Sequence, residues 1–446
     1  MVKSSIGRTS PKILRGTDLP ETVVEVPGQP WFKDKPIRLT FPSGWKVQRC
    51  EMAGEDQRGL TKAQIGKAIR NPIGAKPLAK LAKGRKEAVI IFDDSTRPTK
   101  THQYAPIVLE EIKKAGIKDD CIRFIVAPGS HGTMGRQLFA KKLGEDILDK
   151  YPVYNHNPYE MCKQVGTTSY GTPVWVNAEV MACDLKIGIG SVLYHRMSGF
   201  SGGGKIISPG VAGIETIRAN HGPLGGFGPG LKPHASTGYL VNDGNILRLD
   251  AEETARIAGL DFKIDSVLNL KRDPIETYAG DFVQTQRKAS EGVLRWHRTE
   301  SPVDMDVVVA NSYMRANEPY LGLWPAQESV KQDGSVVLIC NDPDGDVNHW
   351  IFNHHGKYVG ASLWSGKARN LARGARLIVY SPYRLRSLEE RLGAPGTVTW
   401  CREWGEVIEE LKKFHKGNPK VAVLPDGTSG IPESYLSNHK PAASKP

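Results

Sequence analysis

Short apolar runs alternate with stretches of helical periodicity along most of the chain. Residues 87–92 (EAVIIF) read as a strand that ends in the polar loop DDSTRPTKTH. Over residues 104–115 (YAPIVLEEIKKA) apolar positions recur at helical spacing, with lysines near the end and Gly116 as the stop. Residues 122–127 (IRFIVA) are the next strand and run into PGSHGTMG. Further strands are predicted near 152–154 and at 184–189 (DLKIGI), the last leading straight into His195. A second alternating run begins at Val303, with strands at 305–310, 335–340, 376–380, 397–400 and 421–424 and a strong helix at 403–414. Residues 282–297 (FVQTQRKASEGVLRWH) predict a helix joining the two runs.

Alternation of this kind, seen twice, predicts an α/β protein of two α/β domains, divided near residue 300 into 1–300 and 301–446. The polar, proline-containing residues 1–30 read as an extended arm, and SNHKPAASKP at the end as a flexible tail. Ligands of such folds sit beyond the carboxyl ends of the strands. The DDSTRP, GSHG and YHRM loops all follow predicted strands, so they are expected to converge.

Composition changes this picture little. The 446 residues are 39% hydrophobic and 24% charged, ordinary for a globular protein with ample chain for its cores. The net charge of +12 favours anionic ligands such as phosphates and carboxylates. Lysines and arginines are dispersed, without a zinc finger, basic zipper or RNA-recognition signature, which argues against nucleic acid. The six cysteines form no C-x-x-C pair and read as reduced structural thiols. The first residues lack the apolar core of a signal peptide, and no run approaches the roughly 18–20 apolar residues of a membrane span, so a cytoplasmic protein is expected.

The candidate chemistry gathers in HRMSGFSGGGKIISPGVAGIETIRANH, residues 195–221. Glycines 202, 203 and 204 permit close backbone approach to a ligand, and N–H groups in such turns bind anions. Lys205 follows them directly and suits either a nucleophile in a dry site or a phosphate partner. The spacing is not that of a P-loop. His221 offers a neutral imidazole for zinc, nickel, copper or iron. His131 and His195 each follow a strand, where a general acid or base is useful; each taken singly also reads as a structural histidine. Arg97 has the fork that binds a carboxylate, and Asp94 can accept from ribose hydroxyls. The plainer reading of DDSTRPT is a local turn, with Asp93 as its cap.

Together these motifs resemble the lactate racemase family that uses a nickel-pincer nucleotide. The resemblance rests on DDSTRP at 93–98, GSHG at 129–132, NHNPYE at 155–160, HRMSGFSGGGKIISPG at 195–210 and TIRANH at 216–221. It covers most of residues 85–225 in order, and beyond them only the general architecture matches.

The resemblance implies an active site in the interdomain cleft, with the first domain holding the cofactor and the second closing over the substrate. It implies nickel and a pyridinium-3,5-bisthiocarboxylic acid mononucleotide, held by Lys205 (covalently in the best-known members) and contacted by Asp94, Gly203 and Gly204, with His221 as the nickel ligand. His131 and His195 would be the paired acid/base groups, and Arg97 would orient the substrate carboxylate. The implied reaction is racemisation or epimerisation of a 2-hydroxy acid by proton-coupled hydride transfer to the nucleotide. Its implied partners are the small acid and the cofactor-maturation enzymes.

One region departs from the family. Members acting on lactate carry a second cation, a lysine, in the C-terminal domain, whereas NEPYLGLWPAQESV at 317–330 has none. Arg315 or Lys331 is the candidate replacement, and Trp324 is expected to make that wall bulkier, so a substrate other than lactate is expected, sugar acids included. The alternatives are a same-pocket relative performing dehydration or redox chemistry, a zinc hydrolase using His195 and His221, and a nonenzymatic binding module.

Overall fold

The structure, a computed structural model, describes residues 21–32, 35–228, 230–351, 371–394 and 396–438. Strand Ala88–Asp93 is buried at every position, which a strand covered on both faces requires. Its side chains divide by parity: Ile90 and Phe92 enter one core cluster, Val89 and Ile91 another. It lies near the middle of a six-stranded sheet ordered Pro274–Gly280, Phe262–Leu268, Leu185–Ser191, Ala88–Asp93, Ile122–Ala127, Val153–Asn155. All neighbours run parallel except Pro274–Gly280, which is antiparallel to Phe262–Leu268.

From Ala88–Asp93 the chain first adds strands on one side, then crosses to Leu185–Ser191 on the other. The strand order therefore reverses between these two strands, and the loops that follow them diverge to leave a crevice. Asp94 and Arg97 follow one of them, and His195 follows the other.

A second six-stranded sheet, wholly parallel, is ordered Val398–Cys401, Arg376–Tyr380, Val330–Ile339, Met305–Asn311, Lys420–Leu424, Lys46–Arg49. Val307 and Val309 face one core, Val308 and Ala310 the other. Its order also reverses, between Met305–Asn311 and Lys420–Leu424. The helix Phe282–Trp296, capped by the Asp281 side chain on the Val283 and Gln284 N–H groups, packs on the first sheet and leads towards the second.

The expected α/β class is present, and most of the predicted strands fall within a residue or two of their positions. The second sheet is not built from residues after 300 alone. Lys46–Arg49, far upstream, is the edge strand of the second sheet, and Thr22–Val26 pairs antiparallel with Ile37–Phe41 instead of trailing as an arm. A polar edge strand (KVQR) carries no apolar run, and its partner Lys420–Leu424 is remote in sequence. Residues 1–20 and 439–446 lie outside the described residues, whereas Ser437 and Asn438, read as tail, close the helix Glu433–Asn438. No described helix is long and apolar enough to cross a membrane.

Candidate active site

The carboxyl ends of both sheets open onto one cavity of about 500 Å³. Asp94, Arg97, His131, His195, Lys205 and His221 all line it. They come from separate segments, so the expected convergence of the strand-end loops is met.

The loop after Ala88–Asp93 is locally determined. Asp94 Oδ1 accepts the Thr96 N–H at 3.1 Å, an Asx turn, and its Oδ2 lies 2.6 Å from His131 Nδ1. Burial raises the Asp94 pKa, but His131 and Arg97 outweigh it and hold the carboxyl below its usual value. Asp93 is no turn cap. It is buried, and it accepts from Lys142 Nζ at 2.8 Å and Thr99 Oγ1 at 2.6 Å. The same ammonium reaches the carbonyls of Asp94 (2.7 Å) and Arg97 (3.0 Å), clamping the loop from beneath. Lys142 is fully buried, although as one of two lysines ending a helix it reads as a solvated charge.

His195 ends the short strand Tyr194–His195, which pairs with Ser198–Phe200. Its Nδ1 accepts the Met197 and Ser198 N–H groups, both at 3.2 Å. Arg248, fully buried, holds the same hairpin through the Ser198 and Phe200 carbonyls. Burial, with Lys205, Arg315 and Arg97 nearby, pushes the His195 pKa well down.

Lys205 lies in the 3₁₀ turn Gly203–Ile206, and its amine is pushed well below the usual range by burial and by Arg248, Arg97 and Arg315. The glycines before it serve two different purposes. Gly202 lines the cavity, whereas Gly203 and Gly204 do not. A Cβ on Gly203 would stand 2.8 Å from Gln286 Cβ, and one on Gly204 would stand 3.0 Å from the Ala251 carbonyl. These two glycines thus let the turn pack against helices Phe282–Trp296 and Ile246–Ala258. The Gly203 N–H donates to Asp265 Oδ2 at 2.9 Å, and Lys263 holds Oδ1 at 2.6 Å.

His221 sits in the π-helical turn Asn220–Leu224, where a widened turn commonly marks a functional position. Asn220 anchors that turn to Asp250 at 2.7 Å. Burial and Lys205 push the His221 imidazole down to about 3.

The second sheet supplies the facing wall. Glu318 is buried there, its Oε2 taken by Arg315 Nε at 2.9 Å and by Arg97 Nη1 at 3.3 Å. Its Oε1 accepts from Tyr320 Oη at 2.9 Å and stands 3.6 Å from His349 Nε2. Burial raises the Glu318 pKa, but Arg315, His349 and Arg97 hold it well down. Of the two candidate replacements for the lysine, Arg315 lines the cavity, while Lys331 pairs with Asp306 elsewhere. Trp324 is outside the lining. It stacks on Tyr239 with centroids 4.0 Å apart and meets Tyr194 and Tyr435 edge-on. Glu318 and His349 were not singled out in the sequence. His349 does follow a predicted strand in a polar loop, DPDGDVNHW, the same signal that marks His131.

The chain matches the Lactate racemase N-terminal domain family over residues 32–225. It is 31% identical over 298 residues to the lactate racemase of Lactiplantibacillus plantarum, covering 65% of this chain and 68% of that one. The chain belongs to the lactate racemase family. It is, accordingly, an isomerase. The lactate racemase of Thermoanaerobacterium thermosaccharolyticum is 27% identical over 432 residues, 88% of this chain and 98% of its relative. The fold agrees with the solved lactate racemase apoprotein of that organism, at a TM-score of 0.68 and 23% identity over 92% of this chain and all of that one. A Thermotoga maritima protein superposes at 0.58 with 18% identity, covering 86% of this chain and all of its own. Within the lactate racemase family, the matched domain carries Asp94, Arg97, His131, His195, Lys205 and His221, while Arg315, Glu318 and His349 lie beyond it.

Proposed function

We propose that this protein racemises or epimerises a 2-hydroxy acid with the help of a nickel-pincer nucleotide. The observation that carries the reading is the complementary hydrogen bonding of two histidines on one cavity. An ionised carboxylate only accepts, so Asp94 places the His131 proton on Nδ1 and leaves the Nε2 lone pair as a base. Two backbone N–H groups on His195 Nδ1 require the reverse, with the proton on Nε2.

The residues fit the cofactor. A cavity of about 500 Å³ is of ligand-binding size. Lys205, whose ammonium form is disfavoured by burial and by the neighbouring arginines, offers an amine to hold the nucleotide, and His221 offers a neutral imidazole to nickel. When bound, the nucleotide supplies a hydride acceptor, which no side chain can do. Asp94 is committed to His131 and Thr96, so we assign it to orienting the base instead of contacting ribose.

Arg97, with Arg315 across the cavity, receives the substrate carboxylate. His131 Nε2 takes the hydroxyl proton, and Asp94 stabilises the imidazolium that forms. The arriving carboxylate also offsets the cations that depress His195, raising its affinity for a proton on the other half of the reaction. The polar wall of Glu318, Tyr320 and His349 favours an acid with more hydrogen-bonding groups than lactate. Among the described residues, the one trio whose ligand atoms come within metal-binding reach contains neither His195 nor His221, so nothing favours a zinc hydrolase built on those two.

The test uses protein prepared alongside cofactor-assembly enzymes and single enantiomers of lactate and of a polyhydroxylated 2-hydroxy acid, each deuterated at C2. Chiral separation should show the other stereoisomer, unchanged in mass and with its deuterium retained, formed faster from the polyhydroxylated acid. Lys205→Ala and His221→Ala should abolish it. Label lost to solvent would replace hydride transfer by proton abstraction at carbon, and loss of water would make the enzyme a dehydratase.

A further inference from the structure

We propose that His131, Glu318 and His349 form a divalent-metal site of the zinc class, separate from His221, at the seam between the two sheets. One ligand atom from each residue lies within 4.8 Å of the other two. Ligands around tetrahedral zinc, bonded at about 2.0–2.1 Å, stand roughly 3.4 Å apart. Shifts of about an ångström in three side chains bridge that difference, and one edge, His349 Nε2 to Glu318 Oε1, is already 3.6 Å.

The backbone brings the two imidazoles together. His131 and His349 form an isolated antiparallel bridge, flanked by Gly132 N–H to the Asn348 carbonyl (3.0 Å) and Trp350 N–H to the Ser130 carbonyl (2.9 Å). Their ring centroids are 4.4 Å apart at 81°, so the two imidazoles are in edge-to-face contact. Two imidazoles and a carboxylate are a donor set that zinc accepts, and the cavity leaves the remaining position open. A metal-binding histidine usually gives its other N–H to a carboxylate, and Asp94 stands behind His131 at 2.6 Å in that role. Tyr320 and Arg315 orient Glu318 in the same way.

Charge sets the strength. Arg97 and Arg315 offset the attraction of Asp94 and Glu318 for a cation, so the ion binds more weakly than a structural zinc. A bound ion occupies the His131 lone pair. If the racemase reading holds, the ion therefore inhibits the reaction, and a chelator restores it.

The test uses the full chain, freed of metal and nucleotide, titrated with Co²⁺ and followed by visible d–d absorption. One equivalent should bind and be displaced by Zn²⁺. His349→Ala and the smaller change His349→Asn should each weaken binding at least tenfold, while His221→Ala and His195→Ala should leave it within twofold, with circular dichroism reporting the fold of each. Absence of binding, binding that survives both His349 variants, or binding that requires His221 would overturn the site. The titration involves neither nucleotide nor hydroxy acid, so its failure leaves the racemase reading standing, and the reverse is equally true.

Discussion

Asp265 shows how far a residue's role here depends on its neighbours. It is fully buried, accepts the Gly203 N–H and pairs with Lys263, and so fixes the turn that presents Lys205. Gly203 in turn has a φ of +60° and stands against helix Phe282–Trp296. Gly203→Ala should therefore destabilise the protein by about 1–3 kcal/mol, from left-handed backbone strain and overpacking together. Urea unfolding would measure this, and a stability change under about 0.5 kcal/mol, as at a neutral surface site, would show that the turn is not held as described. The candidate residues of the cavity were legible only as a group. Each histidine taken singly also reads as structural, and it is their joint spacing in loops after apolar strands that sets them apart. Lys142 and Glu318 were not legible, because a charge that will be buried beside a partner looks in sequence like any surface charge.

Elements were legible where an apolar run fills the buried centre of a strand. Strands 122–127 and 376–380 are found at the predicted positions because residues 124–126 and 377–379, packed on both faces, are apolar, while Arg123 and Arg376 lie at less buried positions. Phe262–Leu268 escaped notice although it is buried at all seven positions, since its FKIDSVL pattern includes Lys263 and Asp265, which bury each other. The helix Leu323–Ser329 offers a sharper case. Trp324 was expected on the substrate wall, but it belongs to an aromatic cluster with Tyr194, Tyr239 and Tyr435 beneath that wall. Trp324→Ala should cost about 3–5 kcal/mol of stability, the range for emptying a buried aromatic site. The relative rates on short and long hydroxy acids should stay unchanged. A switch in substrate preference at unchanged stability would return Trp324 to the pocket.

At the scale of the whole molecule, buried histidines tie stability to pH. His156, far along the first sheet, gives Nε2–H to the Ala212 carbonyl and is pushed from 6.5 down to about 4 by burial. Between those values the unfolded chain binds a proton that the folded chain refuses, so stability falls as pH drops from 6.5 towards 4. Asp342 and Asp346 act oppositely: burial lifts them to about 7 and about 6, so the folded chain keeps protons that the unfolded chain loses, and stability falls as pH rises towards those values. Thermal unfolding from pH 4 to 8 should show an acid limb that becomes shallower in His156→Gln, whatever that variant's absolute stability. An unaltered slope would mean that His156 does not carry the linkage.

The alternation of apolar runs and helices determined, from sequence alone, the α/β class and the polar loops at strand ends that line the cavity. These are local properties, set by burial on both faces of a strand and by turn chemistry. Tertiary structure decided which strand lies beside which, that an N-terminal strand completes the C-terminal sheet, and that Arg315, Glu318 and His349 face His131 across the cleft. Those are long-range pairings, in which the partner of a buried charge or of an edge strand can lie hundreds of residues away, and hydrophobic periodicity carries no record of it.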